Sequence, residues 1–444
     1  MKKPYIRPVI RRQFMGAANK FGGFSVPEPL VSIDGVKTDD LLKKFGSPLF
    51  VFSESSIRRK IQEFNRAFQT RYPSFQAAWS YKTNYLNAIC NVFHQEGSWA
   101  EVVSAFEYEK ARYNGIPGKQ IIFNGPYKPY PALKKAFSEG AHVHIDHLDE
   151  ISDVLQIAEE LNRSLEVTLR LNMDTGMFPA WSRFGFNLET GHALEAARKI
   201  ANSQGKVKIT GLHTHVGTFL TDTGPYKRAA KKIAAFYKKL RDDLRQPMQY
   251  LDLGGGFPSA NKLKAQYLSG SSQLPSIDTY AEAICNSLYE AFEPLEPPHL
   301  FLESGRALVD ESGYLLTSVV ANKTLPSGKR AIVLDAGVNL LYTSTWYDFK
   351  VSPTSYHSGT YEDVILYGPL CMNIDVVRES CLLPNLQRGE SVVLHPVGAY
   401  NVTQWMQFIE MRPAVVLIQP SGEITKIRRK ETLEDLLRVE EDRL

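Results

Sequence analysis

Residues 77–85 read AAWSYKTNY and place a lysine where a predicted strand ends. An apolar, β-prone run begins at Phe75 and stops at Lys82, and residues 87–95 then have the apolar spacing of a helix. Most lysines at a strand end are ordinary solvated groups. A chemical role for Lys82 therefore depends on what the rest of the chain places around it.

Seven further runs repeat this pattern, and amphipathic helical segments separate them, among them 148–161, 188–203, 226–244 and 277–292. The eight strand-like runs are 76–81, 99–103, 121–123, 143–145, 167–171, 207–214, 250–253 and 300–303. Strands and helices that alternate eight times predict a parallel (β/α)8 barrel, an α/β fold. Such barrels carry their chemistry at the C-terminal ends of the strands, where Lys82, Glu101, His215 and Glu303 stand.

Beyond residue 309 the strands become shorter and long helices disappear, which predicts an all-β domain. We expect the strand 31–33 and its neighbours to join that domain, so that the barrel is inserted into it. The predicted divisions are a basic extension at 1–24, the N-terminal part of the β domain at 25–50, the barrel at 51–309, the C-terminal β domain at 310–430 and a charged helical tail at 431–444.

The composition is that of a soluble globular protein, with 43% hydrophobic and 23% charged residues in 444. A net charge of +4, from 52 basic and 48 acidic residues, argues against a nucleic-acid or membrane-binding surface. Four widely spaced cysteines lack any metal-finger pattern and favour reduced thiols in a cytoplasmic setting. The acid-free residues 1–24 are either a flexible extension or an organelle transit peptide.

Two stretches at strand ends point to an anionic, heteroaromatic ligand. In LGGGFP (253–258), Gly254, Gly255 and Gly256 let backbone N–H groups approach a phosphate, although triple glycines also form plain tight turns. In ESGR (303–306), Glu303 and Arg306 form either a buried ion pair or a site in which Glu303 protonates and orients a ring nitrogen while Arg306 or its backbone helps to hold a phosphate.

HTHVGT (213–218) carries two histidines on one strand face. No third ligand stands at a telling spacing, so we expect no metal and favour stacking of an imidazole on a planar cofactor, with the Thr218 hydroxyl on an anion. In GPLC (368–371), Cys371 is either a small buried hydrophobe or an exposed acid in a turn near Asp375. GAY (398–400) adds the hydroxyl of Tyr400.

Taken in this order, the motifs resemble those of the fold-type III pyridoxal-phosphate decarboxylases, the diaminopimelate, ornithine and arginine decarboxylase family. The resemblance spans roughly residues 31–428, and WSYKTN (79–84) stands where the family has Y-x-x-K-x-N. It implies an alanine-racemase-like barrel with a C-terminal β barrel or sandwich, pyridoxal 5'-phosphate as cofactor, and a homodimer with shared active sites.

The resemblance also implies a role for each motif residue. Lys82 would form the Schiff base with the pyridoxal aldehyde, His215 would stack on the ring and Glu303 would pair with its nitrogen. Glu101 and Glu107 would lie behind the cofactor, and Cys371 would reach a partner subunit to return the proton. The phosphate would be held by Thr218, Gly254, Gly255, Gly256, Gly305, Arg306 and Tyr400. The substrate would meet Arg306, Thr343, Tyr347, Cys371, Met372, Asp375 and Tyr400.

Two departures bear on the substrate. The diaminopimelate enzymes have an arginine where this chain has Thr343, and an acid follows their cysteine where this chain has Met372. Both usual charge anchors are therefore absent, and residues 342–348 offer an aromatic mouth instead. We expect a decarboxylase for a modified, conjugated or carrier-tethered amino acid rather than free diaminopimelate.

Other functions stay open at this point. They are a genuine diaminopimelate decarboxylase with altered anchors, an amino-acid racemase or epimerase on the same barrel, and a binding or regulatory protein. A racemase would not need the GPLC turn, and a regulator would not need both Lys82 and Cys371.

Overall fold

The computed structural model describes residues 27–177, 181–264, 274–358 and 360–441. The basic extension predicted at 1–24 lies outside these residues, as does the end of the tail. The strands are β1 (Ser32–Ile33), β2 (Val36–Lys37), β3 (Leu49–Ser53), β4 (Phe75–Ser80), β5 (Trp99–Val102), β6 (Ile121–Phe123), β7 (His142–Ile145), β8 (Leu165–Asn172), β9 (Phe186–Asn187), β10 (Val207–Thr214), β11 (Tyr250–Asp252), β12 (His299–Leu302), β13 (Gly313–Thr324), β14 (Arg330–Leu334), β15 (Lys350–Pro353), β16 (Tyr361–Tyr367), β17 (Val376–Pro384), β18 (Ser391–His395), β19 (Ala414–Ile418) and β20 (Ile424–Arg428). The helices are α1 (Thr38–Phe45), α2 (Glu54–Gln69), α3 (Asn87–Gln95), α4 (Ala105–Tyr113), α5 (Tyr130–Ser138), α6 (Leu148–Glu160), α7 (His192–Ala201), α8 (Gly224–Asp243), α9 (Ile277–Phe292), α10 (Arg306–Val309), α11 (Asn401–Gln404) and α12 (Leu433–Leu437).

Eight parallel strands close into a barrel, as the alternation of the sequence predicts. The order is β4-β5-β6-β7-β8-β10-β11-β12, and β12 pairs with β4 to complete the circle. Helices cover the outer face; on α3, for example, Phe93 stacks on Trp79 of β4 with ring centroids 3.7 Å apart. The predicted (β/α)8 barrel is thus confirmed.

The barrel interior changes from aromatic to polar along the strands. Near the N-terminal ends, Trp99, His142, Tyr250 and Phe301 pack ring against ring, with centroids 5.0 to 5.6 Å apart. Because side chains on one strand face recur every second residue, the next inward position of each strand lies closer to the C-terminal end. All eight of those positions are polar, and we call this set the polar interior: Ser80, Glu101, Asn124, His144, Arg170, His213, Asp252 and Glu303.

A second, mostly antiparallel sheet follows the barrel and includes a strand from before it. Its order is β17-β16-β14-β13-β3-β19-β20, with β18 pairing both β13 and β15. Strand β3 lies between β13 and β19, so the all-β domain takes in an N-terminal strand, as predicted. We propose the predicted boundary at 309 as one domain limit. The boundary predicted at 50 falls inside β3, which pairs with β13 and β19 through residues 49–53, so we propose that the other limit follows Ser53.

Three details differ from the prediction. The strand predicted at 31–33 pairs with β2 in a separate two-stranded sheet, although Ile33 packs on the same apolar cluster as β3. The tail predicted as helical at 431–444 contains one short helix, α12, in the part of the chain described. Strands β15, β17 and β20 lie outside the runs 315–321, 330–335, 363–367, 391–395 and 414–418 that predict strands in this domain. These missed strands all lie at sheet edges, where charged side chains interrupt the apolar pattern.

The two domains meet at the loop that carries Lys82. The backbone N–H of Tyr400 donates to the carbonyl of Thr83 at 2.8 Å, and the hydroxyl of Thr403 donates to the carbonyl of Lys82 at 2.9 Å. The β domain therefore fixes this loop at the C-terminal end of the barrel. No helix among the described residues is long and apolar enough to cross a membrane.

Candidate active site

Lys82 lies at the C-terminal mouth of the barrel, directly after β4. Its Nζ donates to Glu101 Oε2 at 2.7 Å, and the hydroxyl of Ser80 donates to the same oxygen at 2.5 Å. The Lys82 side chain keeps 35% of its surface exposed, whereas that of Glu101 has none. Burial lowers the pKa of Lys82, but Glu101, Tyr400 and Glu303 together outweigh burial, so the pKa lies above its ordinary value. Lys82 is thus an accessible amine that a buried carboxylate holds in place.

The three glycines form a tightly packed turn after β11. A Cβ atom at Gly255 would lie 2.4 Å from the carbonyl oxygen of Glu303, and one at Gly256 would lie 2.5 Å from that of Gly217. Gly254 has a φ of +67° and a Cβ there would lie 2.7 Å from His215 Nδ1. Only glycine fits these positions. The N–H groups of Gly254 and Gly255 donate to Asp252 Oδ1 and His215 Nδ1, so of the three only that of Gly256 has no partner among the described residues and is open to a close-fitting anion.

Glu303 lies deep in the polar interior, with 4% of its surface exposed. Its Oε2 is 3.3 Å from His213 Nε2, and its Oε1 is 3.5 Å from the amide of Asn124. Burial raises the pKa of Glu303, against the charges of Lys82 and Arg170. A carboxylate in this position can hold a positive charge on a ring nitrogen that faces it.

His215 leaves β10 and faces the glycine turn. Its Nδ1 accepts the backbone N–H of Gly255 at 3.2 Å, and the ring of Trp181 lies 5.8 Å from its own. Burial lowers the pKa of His215 well below its ordinary value, so the imidazole is neutral at neutral pH. A neutral, oriented imidazole suits stacking on an aromatic ring. Thr218 lies exposed on the following turn.

Arg306 lies between aromatic rings where the barrel meets the β domain. Its guanidinium carbon is 4.8 Å from the ring centroids of both Tyr347 and Tyr400. Asp310 is its nearest carboxylate, at 3.9 Å, and Nη1 is buried without a hydrogen-bond partner among the described residues. Just before it, Gly305 touches the loop of Lys82, since a Cβ there would lie 2.1 Å from the hydroxyl oxygen of Thr83. Arg306 therefore has capacity to bind an anion.

The residues expected to meet a substrate do not form one group in the single chain. Cys371 is exposed and Met372 partly exposed. Asp375 is 3% exposed, and its Oδ2 accepts the backbone N–H of Leu370 at 2.7 Å, in the turn that presents Cys371. Its Oδ1 accepts the backbone N–H of Val338 at 2.8 Å, in the loop after β14, so both oxygens are occupied. Its position argues against direct substrate contact.

Thr343 is also buried, with 1% of its surface exposed. Its backbone N–H and its hydroxyl both donate to Asn401 Oδ1, at 3.2 and 2.9 Å. The hydroxyl is therefore occupied by Asn401, and a role of position 343 in substrate selection stays a prediction.

Glu107 supports the barrel rim from α4. Its Oε2 accepts the backbone N–H of Val103 at 2.8 Å, and burial raises its pKa to about 7. It contacts the backbone next to β5 and no group of the polar interior within hydrogen-bond distance.

Of the eight residues of the polar interior, only Glu101 and Glu303 received a role from the sequence, and His213 was treated only as part of a histidine pair. Ser80, Asn124, His144, Arg170 and Asp252 were not assigned, although Arg170 Nη1 donates to Asn124 Oδ1 at 3.1 Å. His144, Asp252 and Glu303 also meet around His213, with one nitrogen or oxygen atom of each within 4.8 Å of the others, and no spacing along the chain indicates this group. These residues could have been predicted from the sequence, because each is a polar residue at the last inward-facing position of an apolar run.

These features fit a planar pyridine bearing an aldehyde and a phosphate. Lys82 supplies an amine, His215 an imidazole for stacking and Glu303 a buried carboxylate for the ring nitrogen. The glycine turn and Arg306, whose Nη1 has no hydrogen-bond partner among the described residues, suit the anion. The family described as pyridoxal-dependent decarboxylase, pyridoxal binding domain, matches residues 54–310.

Relatives match over nearly the whole chain. Diaminopimelate decarboxylase of Methanocaldococcus jannaschii is 30% identical over 430 residues, which cover 91% of this chain and 93% of that protein. The enzyme of the same name from Zymomonas mobilis is 28% identical over 433 residues, covering 94% and 98%. A crystal structure of the Methanocaldococcus jannaschii enzyme has a TM-score of 0.86 at 28% identity and covers 94% of this chain and 98% of that one. The chain therefore belongs to the fold-type III pyridoxal-phosphate decarboxylases and is a pyridoxal-phosphate-dependent carboxy-lyase of amino-acid metabolism.

Proposed function

We propose that this enzyme decarboxylates a modified, conjugated or carrier-tethered amino acid rather than free diaminopimelate. The observation that carries the proposal is the environment of Thr343, where the diaminopimelate enzymes have an arginine. Thr343 is buried and its hydroxyl is bonded to Asn401, so no cation stands at this position.

The missing anchors have an energetic consequence. A charged hydrogen bond to a carboxylate contributes about 1.5 to 3 kcal/mol, so its absence lowers the affinity for diaminopimelate at least about tenfold. Met372 likewise replaces the acid that follows the cysteine in the family. A substrate with neither a free distal carboxylate nor a distal amine fits both changes.

The surface beside these positions suits a larger group. Tyr342 and Trp346 are 37% and 45% exposed and pack edge to face, with ring centroids 5.3 Å apart. Exposed aromatic pairs of this kind favour contact with an apolar or extended ligand. We therefore place the substrate's distal part against Tyr342 and Trp346.

For catalysis, the bound cofactor would supply an electron-withdrawing ring that accepts the charge left when CO2 departs. Lys82 would hold its aldehyde end, and Glu303 would keep a proton on the ring nitrogen by placing a negative charge beside it. His215 would support one ring face. The glycine turn, with Arg306, would fix the phosphate and so orient the ring.

Proton return requires an acid on the other side of the ring. Cys371 is exposed in the single chain, on a turn held by Asp375, which supports its insertion into the site of a second copy. We therefore propose a homodimer with two shared active sites. We also propose a cytoplasmic location, supported by the absence of disulfides among the four cysteines, all of which lie in the described part of the chain.

A genuine diaminopimelate decarboxylase is the second candidate. The two relatives named above are diaminopimelate decarboxylases, and this chain matches each of them over almost its full length. A screen decides between the two: purified holoenzyme is offered free diaminopimelate, ornithine, lysine, and acyl or carrier conjugates of such amino acids. CO2 release and the absorbance of the bound cofactor are recorded together. Turnover of free diaminopimelate at the rate of a dedicated enzyme would overturn the proposal, and selective turnover of a conjugate would support it.

A further inference from the structure

Glu303 and three other buried groups form what we call the acid-imidazole cluster. They are His144 of β7, His213 of β10, Asp252 of β11 and Glu303 after β12. One nitrogen or oxygen atom of each lies within 4.8 Å of the others. Their exposed fractions lie between 0 and 4%, so bulk water does not reach them.

The two oxygens of Asp252 have different surroundings. Oδ1 accepts the backbone N–H of Gly254 at 2.8 Å, whereas Oδ2 has no hydrogen-bond partner among the residues described. Both ring nitrogens of His144 and of His213 are also without partners there. A buried carboxylate oxygen with no donor is costly, and a proton on that oxygen turns it into a donor.

Charge balance also indicates that one of the two carboxyl groups is protonated. Two carboxylates this close cannot both be ionised in a dry site unless a cation lies between them. The charged groups that face the cluster are already engaged with other acids: Lys82 with Glu101, Arg170 with Asp146, and Lys128 with Glu150. One of the two acids in the cluster must therefore hold a proton.

We propose that Asp252 carries this proton on Oδ2 and donates it to Glu303, so that the cluster holds a single negative charge, located on Glu303. Asp252 is then a positioning residue that orients and isolates that charge. The proposal rests on the proposed pairing of Glu303 with the pyridine nitrogen, which requires Glu303 to be the ionised member.

Burial favours the neutral form of Asp252, His144 and His213. It raises the pKa of Asp252 well above its ordinary value. It lowers the pKa of both His144 and His213 well below theirs, so the imidazoles stay neutral and supply no competing charge.

Asp252 also links the two ends of the cofactor site. Gly254, whose N–H it accepts, in turn accepts the backbone N–H of Glu303 through its carbonyl at 2.8 Å. A substitution at Asp252 should therefore affect both the glycine turn and Glu303.

The test compares Asp252→Asn with Asp252→Leu in the holoenzyme. Asparagine reproduces a protonated aspartic acid, because its amide donates where Oδ2 would and its oxygen still accepts from Gly254. We expect Asp252→Asn to keep the dissociation constant for pyridoxal phosphate within about threefold and to leave the pH profile of the bound cofactor's absorbance unchanged. Asp252→Leu should weaken cofactor binding more than about tenfold. Glu303→Gln, which removes the charge itself, should change the absorbance profile.

An infrared measurement locates the proton without turnover. In wild-type holoenzyme with isotopically labelled aspartate, a protonated carboxyl band should be present, should shift in Glu303→Gln and should lose intensity in Asp252→Asn. Absence of that band, or an absorbance profile of Asp252→Asn altered as strongly as that of Glu303→Gln, would overturn the proposal. A stoichiometric divalent metal ion in the purified protein would overturn it as well. Because neither readout needs a substrate, a wrong choice of substrate under the proposed function would leave this result intact.

Discussion

The Nζ atom of Lys82 lies 2.7 Å from Oε2 of Glu101, on the neighbouring barrel strand. Strand register produces this contact, since β4 and β5 pair with Ser80 opposite Glu101 and Lys82 is two residues further on. Without cofactor, Lys82 is therefore held as an ammonium ion. Covalent capture of an aldehyde needs the neutral amine, so this ion pair controls when Lys82 becomes reactive.

Replacing Glu101 by Gln removes the charge that keeps Lys82 protonated. Burial alone lowers the pKa of Lys82, so its amine becomes neutral at lower pH in the variant. We expect the pH midpoint for uptake of pyridoxal phosphate by the apoprotein to fall by at least about one pH unit. The uptake rate is measured by absorbance across pH. Glu109→Gln, an exposed acid on α4, serves as control, and an unchanged midpoint in Glu101→Gln would contradict this role.

Gly255→Ala tests the fit of the glycine turn. The new Cβ would lie 2.4 Å from the backbone carbonyl of Glu303, so the turn must move. We expect a loss of stability of about 1 to 3 kcal/mol and cofactor affinity reduced at least about tenfold. Thermal unfolding and cofactor titration measure the two effects.

The matched control is Gly97→Ala, where φ is +84° and no atom lies within 4 Å of the new Cβ. That change carries backbone strain without touching the site, so stability should fall while cofactor affinity is kept. Equal loss of affinity in both variants would mean that the turn has no special role.

The barrel could be predicted because its strands are apolar on both faces and its helices have regular spacing. Lys82, Glu303 and the glycine turn were found from the sequence because each follows directly on an apolar run. The packing of Asp252 against Glu303, or of Thr343 against Asn401, could not be found, since the partners are 51 and 58 residues apart and meet only through strand order. Edge strands such as β17 and β20 were missed because their charged residues break the alternation.

Glu107 gives the protein a specific pH dependence. Its pKa in the folded state is about 7, because of burial, whereas an unperturbed glutamate titrates near about 4.3. Between these values the folded state binds more protons than the unfolded chain, so Glu107 makes stability fall as pH rises from about 4 to 7. The penalty is complete above pH 7 and absent below pH 4.

Glu107→Gln should therefore be more stable than the wild type at pH 8, by up to about 3 kcal/mol, and closely similar at pH 4. The amide oxygen can still accept the N–H of Val103, so the local contact is retained. Chemical denaturation at both pH values measures the difference, with Glu109→Gln as the control. A stability difference that does not change with pH would show that Glu107 is ionised normally.

Thr343→Arg should restore an anchor for a distal carboxylate. A guanidinium there offers charged hydrogen bonds, so we expect kcat/KM for free diaminopimelate to rise at least about tenfold. Steady-state kinetics on diaminopimelate and on the best conjugate measure the switch. Thr345→Arg, an exposed position in the same turn, should change neither value. No gain in Thr343→Arg, with the fold intact, would argue against the position as the specificity determinant.

Mixing two inactive variants tests the shared active site. If Cys371 of one subunit serves Lys82 of the other, Lys82→Ala and Cys371→Ala homodimers are both deficient, but a mixed dimer contains one site with both residues intact. Random exchange makes half of the dimers mixed, so about a quarter of the wild-type activity should return. Activity is measured after subunit exchange in mild denaturant, with each variant exchanged against itself as control. No recovery despite mixed dimers, verified by mass spectrometry, would place Cys371 outside the partner's site.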